Sequence, residues 1–179
     1  LILSPVLGKS PAPKTSSIYF NPDSVVISSP TTGSLMIVRA ADKRVHGGQV
    51  SFPGGMVEEI DDSLIHTALR EANEEIGIIP ESVKIIGLLT KLYIPPSNFD
   101  VYPIVSYTDS TPIFKSNYEV QEVLEIDLET LLNPETRTHK KIQHRNGNEF
   151  EVPCYYIQGE VIWGASAMIM SEMLEVVNG

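Results

Sequence analysis

The sequence predicts an α+β fold in which short strands surround two longer helices. Residues 64–76 place apolar side chains at three- and four-residue spacing, which is the stripe of an amphipathic helix. Residues 163–177 form an apolar, methionine-rich run that is predicted to be the closing helix. Between these segments lie short β-branched or apolar runs separated by turn sequences. The pattern indicates a layered sandwich of sheet and helices.

The elements follow in order along a chain of 179 residues, a length typical of one domain. Residues 1–17 are rich in proline and predict an irregular N-terminal arm, followed by a single domain over residues 18–179. The predicted strands are 24–28, 34–39, 84–93, 101–107, 119–126, 140–143 and 149–156. The first two of these are predicted to form a hairpin, and Asn146-Gly147 is a second hairpin turn. A short helix is predicted at 128–132.

The composition argues against several classes of protein. The net charge is −10, whereas binding nucleic acid requires clustered Lys and Arg, so no nucleic-acid partner is expected. No window approaches twenty unbroken apolar residues, so no membrane span or membrane partner is expected. Cys154 is the only cysteine, which excludes an intrachain disulfide and fits a cytoplasmic location. The first residues lack a charged n-region, so no signal peptide is expected.

The predicted helix that ends at Gly77 is the most informative segment. Glu71, Glu74 and Glu75 fall within an arc of about 100° beside the apolar stripe. Like charges at these spacings repel, and a hard divalent cation such as Mg²⁺ or Mn²⁺ would offset the repulsion because it prefers oxygen ligands. The alternative is a solvated acidic face with an i,i+4 pair between Arg70 and Glu74. The helix has three candidate N-caps: Asp61, Asp62 and Ser63.

The residues around this helix resemble the motif of the Nudix hydrolases. That motif is Gly, five residues, Glu, seven residues, then Arg-Glu-apolar-x-Glu-Glu-x-Gly-apolar. The matching positions are Gly55, Asp61, Arg70, Glu71, Ala72, Glu74, Glu75, Gly77 and Ile78. The one departure is Asp61, where the motif has Glu. The resemblance implies a Nudix-type α/β/α sandwich with a mixed central sheet.

A second match, just upstream, resembles the coenzyme A diphosphatase branch of that family. Its signature is an apolar strand ending in Arg, then Arg, then Gly, then Phe-Pro-Gly-Gly at set spacings. The matching positions are Arg39, Arg44, Gly48, Phe52, Pro53, Gly54 and Gly55. The strand end departs from the signature, with Ile37 in place of Thr and Ala40 in place of Ser.

The resemblance implies a metal site and a set of catalytic residues. The implied ligands of Mg²⁺ or Mn²⁺ are the backbone carbonyl at Gly55 and the carboxylates of Glu71, Glu74 and Glu75. Arg70 would pair with a neighbouring carboxylate and hold it in place. The implied catalytic residues are Arg70, Glu71, Glu74 and Glu119. The general base stays open between Glu71 and a carboxylate from a later loop, either Glu119 or Glu122.

Substrate binding is implied for Arg39, Arg44, Gly48 and Phe52. A guanidinium fork matches phosphate oxygens, so both arginines are candidates for the phosphates of the substrate. Coenzyme A carries a 3′-phosphate besides its diphosphate, so its site needs more positive charge than a site for ADP-ribose. The alternative for both arginines is a solvated surface position.

Three functions remain open from the sequence. The first is hydrolysis of coenzyme A or acyl-coenzyme A to 3′,5′-ADP and a 4′-phosphopantetheine product. The second keeps the chemistry but acts on ADP-ribose, NADH or another nucleotide. The third is a non-catalytic nucleotide sensor, although such proteins often lose acids that this chain keeps. Each implies a small nucleotide partner, and the oligomeric state, a homodimer included, stays open.

Overall fold

A computed structural model of the protein describes residues 2–8, 33–41, 47–95, 97–109, 112–143, 147 and 149–178. The strands are β1 (Ile2–Gly8), β2 (Gly33–Arg39), β3 (Val50–Ser51), β4 (Val83–Leu88), β5 (Leu92–Ile94), β6 (Phe99–Thr108), β7 (Val120–Asp127), β8 (Arg137–Gln143), β9 (Glu149–Ile157) and β10 (Glu160–Trp163). The helices are α1 (Leu64–Ile76), α2 (Leu128–Leu132) and α3 (Gly164–Asn178), with 3-10 turns at Pro80–Ser82 and Pro134–Thr136. Among the described residues, no helix is long and apolar enough to span a membrane.

The first seven strands form one mixed sheet. Its order is β3-β2-β1-β6-β4, with β5 paired to β6 and β7 paired to β2. β1 and β2 run parallel, whereas the other paired strands of this sheet run antiparallel. The remaining strands form a smaller antiparallel sheet in the order β10-β9-β8.

Strand β2 shows why the fold is a sandwich. Leu35 and Ile37 belong to a buried cluster with residues of α1, including Ala72 and Ile76. Met36 and Val38, which alternate with them, belong to the cluster that contains the buried residues of α3. Successive side chains of a strand point to opposite faces, so β2 is covered by one helix on each side. This confirms the α+β class and the α/β/α arrangement.

Helix α1 begins and ends at residues that the sequence singles out. Ser63 is the N-cap, and its side chain accepts a hydrogen bond from the backbone N–H of His66 at 3.1 Å. Gly77 follows the last helical residue with a φ of 74°, a left-handed conformation that glycine adopts without steric cost. The helix therefore presents its acidic turn at a fixed position near its C-terminal end.

The predicted irregular arm over residues 1–17 is wrong for Ile2–Gly8, which form β1 alongside β6. Proline normally disfavours a central strand because it lacks an N–H donor. Here Pro5 lies opposite Pro103, so the two missing donors fall on the same pair of residues. The sheet therefore begins well before the predicted domain start. The rest of that arm and the predicted strand at 24–28 lie outside the described residues.

The other predicted strands and helices agree with the structure apart from their ends and one division. The predicted turn at Asn146-Gly147 lies partly outside the described residues. The predicted strand at 84–93 is two strands, because β4 ends at Leu88 after a register shift between Ile85 and Gly87. β3 and β10, which have only two and four residues, are not predicted from the sequence.

Candidate active site

Arg70 connects α1 to the loop that precedes it through a bidentate contact with Asp61. Its Nε and Nη2 donate to the two carboxylate oxygens of Asp61, both at 3.0 Å, and Nη2 also donates to the Met56 carbonyl at 2.9 Å. Asp61 accepts further hydrogen bonds from the Glu58 N–H and the Thr67 hydroxyl, both at 2.9 Å. Burial by itself raises the pKa of Asp61, but these bonds, that from Arg70 foremost, outweigh it and lower the pKa to about 2.

The same guanidinium reaches two of the three motif glutamates. Nη1 of Arg70 donates to Glu71 at 3.0 Å and to Glu74 at 3.2 Å. Burial raises the pKa of Glu71, Arg70 opposes that rise, and the charges of Glu74 and Glu58 add to it. The i,i+4 pair of the solvated-face alternative is therefore present. It belongs, however, to a network that includes the fully buried side chain of Asp61.

Gly54 and Gly55 allow the loop to lie directly against its neighbours. A Cβ on Gly55 would overlap the carboxylate of Glu71, and a Cβ on Gly54 would overlap the carbonyl oxygen of Pro5. The Gly55 carbonyl, an implied metal ligand, accepts the N–H of Leu7 at 2.8 Å. A carbonyl oxygen has two lone pairs, so this bond leaves one for a cation.

Glu75 is a buried carboxylate between the glycine loop and Arg39. Only 3% of the residue is exposed. Its carboxylate accepts the Gly54 N–H at 2.9 Å and lies 3.5 Å from Nη1 of Arg39. Burial raises the pKa of Glu75 to about 7; Gly54 and Arg39 oppose the rise, and the charges of Glu71 and Glu119 add to it. The carboxylates of Glu71, Glu75 and Glu119 thus lie close enough to interact electrostatically, and they form the acid cluster of the site.

Arg39 also brings a carboxylate of the later loop to this cluster. Nη2 of Arg39 lies 3.6 Å from Oε2 of Glu119, the residue that immediately precedes β7. Glu122 is exposed and lies on β7 opposite Val38. Of the two later acids that the sequence left open, Glu119 is the one next to the motif glutamates.

The remaining residues predicted to bind substrate lie in different environments. Gly48 lies in an exposed turn with a φ of 73°, and its N–H donates to the carbonyl of Arg39 at 2.9 Å. Phe52 is 1% exposed and packs in the hydrophobic core, which contradicts substrate contact through its side chain. A large aromatic side chain gains more from burial beneath the sheet than from an exposed position in the loop. Arg44 lies outside the described residues.

Two contributions to the site were missed from the sequence. From the sequence, Asp61 is a motif acid and a candidate N-cap, and its role as the buried partner of Arg70 is not predicted. The motif spacing could have revealed this, since both residues occupy fixed positions in it. The hydrogen bond from Leu7 to Gly55 had no sequence signal, because β1 was predicted to be irregular.

The donor set suits a hard divalent ion. Within the described ranges, no three acidic, histidine or cysteine side chains converge closely enough to enclose a metal by themselves. Mg²⁺ commonly uses one or two carboxylates and completes its shell with waters and substrate phosphates. Glu75 is buried, and the charges of Glu71 and Glu119 help to raise its pKa, so a bound cation would offset this repulsion. The groups that would hold such an ion are those that the motif implies: the Gly55 carbonyl and the carboxylates of Glu71, Glu74 and Glu75.

Comparison with known proteins identifies the family. A family model described as NUDIX domain matches residues 22–146. The chain belongs to the Nudix family. It is 40% identical over 153 residues to a Cronobacter sakazakii protein named "Uncharacterized Nudix hydrolase NudL", covering 83% of this chain and 77% of the relative. A protein of the same name from Pectobacterium atrosepticum is 37% identical over 149 residues, with the same coverage.

A solved structure gives only a weak likeness. The Nudix hydrolase RenU from M. Smegmatis shares 17% identity and a TM-score of 0.45, over 54% of this chain and 60% of that chain.

Family membership establishes the general chemistry. The protein is a Nudix hydrolase that cleaves pyrophosphate bonds in small nucleotide substrates. Enzymes of this family generally need a divalent metal ion. The non-catalytic sensor considered from the sequence is therefore not supported.

Proposed function

We propose that this Nudix hydrolase cleaves coenzyme A or acyl-coenzyme A, using Mg²⁺ or Mn²⁺, to give 3′,5′-ADP and a 4′-phosphopantetheine product. The observation that carries the proposal is the position of Arg39. This arginine closes the strand in the coenzyme A diphosphatase signature, and it lies between two acids of the site, Glu75 and Glu119.

The geometry of Arg39 suits a residue that also receives a phosphate. Its contacts with the two carboxylates are 3.5 and 3.6 Å long, whereas a strong charge-assisted hydrogen bond is about 2.7–2.9 Å. Its side chain is 29% exposed, so a ligand can reach it. A phosphate oxygen can therefore compete for a guanidinium that the acids hold only loosely.

The other residues have roles that follow from their contacts. A divalent ion, when bound, would lower the pKa of the attacking water and neutralise charge on the bridging oxygen. Arg70 donates a hydrogen bond to the Glu71 carboxylate, which lies against Gly55, and we propose that it orients this carboxylate toward the metal. We propose that Glu71 or Glu119 accepts the proton of the attacking water, since both belong to the acid cluster around Glu75.

A substrate comparison tests the proposal. The kcat/KM values of coenzyme A, dephospho-coenzyme A, ADP-ribose and NADH would be measured with Mn²⁺ and with Mg²⁺. We expect coenzyme A to be preferred over its analogue without the 3′-phosphate by about tenfold or more, the effect of one charged contact. A preference for ADP-ribose or NADH would replace the substrate and keep the chemistry.

The matched variants are Arg39→Gln and Arg39→Lys. We expect Arg39→Gln to lower kcat/KM for coenzyme A by about 10- to 100-fold, and Arg39→Lys to recover only part of it because it keeps the charge and loses the fork. Unchanged kcat/KM in Arg39→Gln would remove the main support for the proposal. We also propose a cytoplasmic location, which the single cysteine supports.

A further inference from the structure

The loop that precedes β7 is fastened to the C-terminal end of α1. The N–H of Lys115 donates to the Ile76 carbonyl, and the N–H of Asn117 donates to the Glu75 carbonyl, both at 3.0 Å. Gly77 permits this approach, since a Cβ there would come within 3.0 Å of Lys115. The last carbonyls of a helix have no hydrogen-bond partners within the helix, and here two of them accept N–H groups from the loop before β7.

Asn117 also fixes the backbone of Glu119. Its side-chain Oδ1 accepts the N–H of Glu119 at 2.8 Å, and its carbonyl accepts the N–H of Val120 at 3.3 Å. On the other side, the Glu119 carbonyl accepts the N–H of Ala40 at 2.8 Å, next to Arg39. Of these backbone contacts, the one that depends on a side chain is the bond to Oδ1 of Asn117.

We propose that Asn117 is a positioning residue, which orients Glu119 toward the acid cluster and couples it to Glu75 at the end of α1. The inference rests on the proposed catalytic role of Glu119. The bond from Oδ1 to the N–H two residues later is an Asx turn, which Asp also forms, Ser forms more weakly and Ala cannot form. Small displacements of a catalytic group have large effects on rate, on the order of 100-fold for about 1 Å.

The first test is structural and uses the metal-free protein. Amide hydrogen exchange of the segment containing Glu119 and Val120 would be compared in wild type, Asn117→Ala and Asn117→Asp. We expect faster exchange in Asn117→Ala, because the Glu119 N–H loses its acceptor, and near-normal exchange in Asn117→Asp. Equal protection in wild type and Asn117→Ala would overturn the inference.

The second test is kinetic and separates Asn117 from Glu119. We expect Asn117→Ala to lower kcat about 10- to 100-fold with little change in KM, and Asn117→Asp to recover more activity than Asn117→Ser. In a Glu119→Gln background, Asn117→Ala should cause no further loss, because its effect acts through the missing carboxylate. If Asn117→Ala does not fold, the kcat values of Asn117→Asp and Asn117→Ser are compared instead. We expect Asn117→Asp to be the faster of the two in the wild-type background and the two to be equal in the Glu119→Gln background.

The outcomes distinguish the two ideas. A Glu119→Gln variant with wild-type kcat would remove the proposed role of Glu119 and the inference with it, while hydrolysis of coenzyme A stood. An impaired Glu119→Gln variant in which Asn117→Ala causes the same fold loss as in wild type would overturn only the positioning role of Asn117.

Discussion

The pair between Asp61 and Arg70 allows a quantitative prediction about folding stability. Asp61→Asn keeps the size of the side chain and removes its charge. It also replaces one of the two oxygens that accept hydrogen bonds from Arg70 with an NH₂ group, which is a donor. Arg70 is left with a mismatched partner at a position where 9% of its side chain is exposed. Removing one member of a buried ion pair is costly because the other charge loses its compensation.

The magnitude follows from the pKa of Asp61. Its ordinary value is 3.8, and the hydrogen bonds of the folded state outweigh burial and lower it to about 2. That difference corresponds to roughly 1–2 kcal/mol of unfolding free energy, allowing for screening near the surface. Because the folded-state pKa is the lower one, the contribution is complete above pH 3.8 and is lost as the pH falls toward 2.

The assay is urea unfolding of metal-free wild type and Asp61→Asn from pH 7 down to pH 2.5. We expect the variant to be less stable by roughly 1–2 kcal/mol or more at pH 7, and the difference to shrink below about pH 4. Asp62→Asn is the matched control, since Asp62 is the exposed neighbour, and its stability should stay within about 0.5 kcal/mol of wild type. A deficit that is absent at pH 7, or that does not change with pH, would refute the reasoning.

Three further predictions concern the glycine loop and the metal. Gly55→Ala should lower activity at least about tenfold, because its Cβ would displace the Glu71 carboxylate. A Cβ on Gly147 meets no atom within 4 Å, so Gly147→Ala strains only its own backbone, where φ is 85°, and the folded variant should keep its activity; equal losses of activity would contradict this. Burial raises the pKa of Glu75 to about 7, so Mn²⁺ affinity measured by calorimetry should rise with pH up to about 7 and then level off; a flat profile would contradict it. Saturating Mn²⁺, at about 100 times its dissociation constant, should stabilise wild type by about 2.7 kcal/mol in thermal unfolding and Glu75→Gln by clearly less; equal stabilisation would exclude Glu75 as a ligand.

Local signals made helix α1 predictable. Its apolar stripe, the Ser63 cap and the Gly77 terminus act within a few residues of one another, so the sequence carries them directly. The ion pair between Arg70 and a neighbouring acid was expected for the same reason. The motif fixes the spacing between Arg70 and its neighbouring acids along the chain.

Long-range pairing explains what the sequence did not reveal. β1 contains Pro5, and its partner strand β6, which places Pro103 opposite Pro5, lies far along the chain. The contact of Arg39 with Glu119 follows from the pairing of β2 with β7, and its contact with Glu75 follows from the packing of α1 against β2. Tertiary contacts of this kind override local propensity.

The most direct test of the active site is product analysis by mass spectrometry. Coenzyme A, ADP-ribose and NADH would each be incubated with Mn²⁺ or Mg²⁺ and with wild type or Glu74→Gln. The Glu74 side chain is 54% exposed, so the variant should keep the wild-type Tm. We predict release of 3′,5′-ADP from coenzyme A by wild type and its loss in the folded variant. Full activity in Glu74→Gln, or no cleavage of coenzyme A by wild type, would contradict this account.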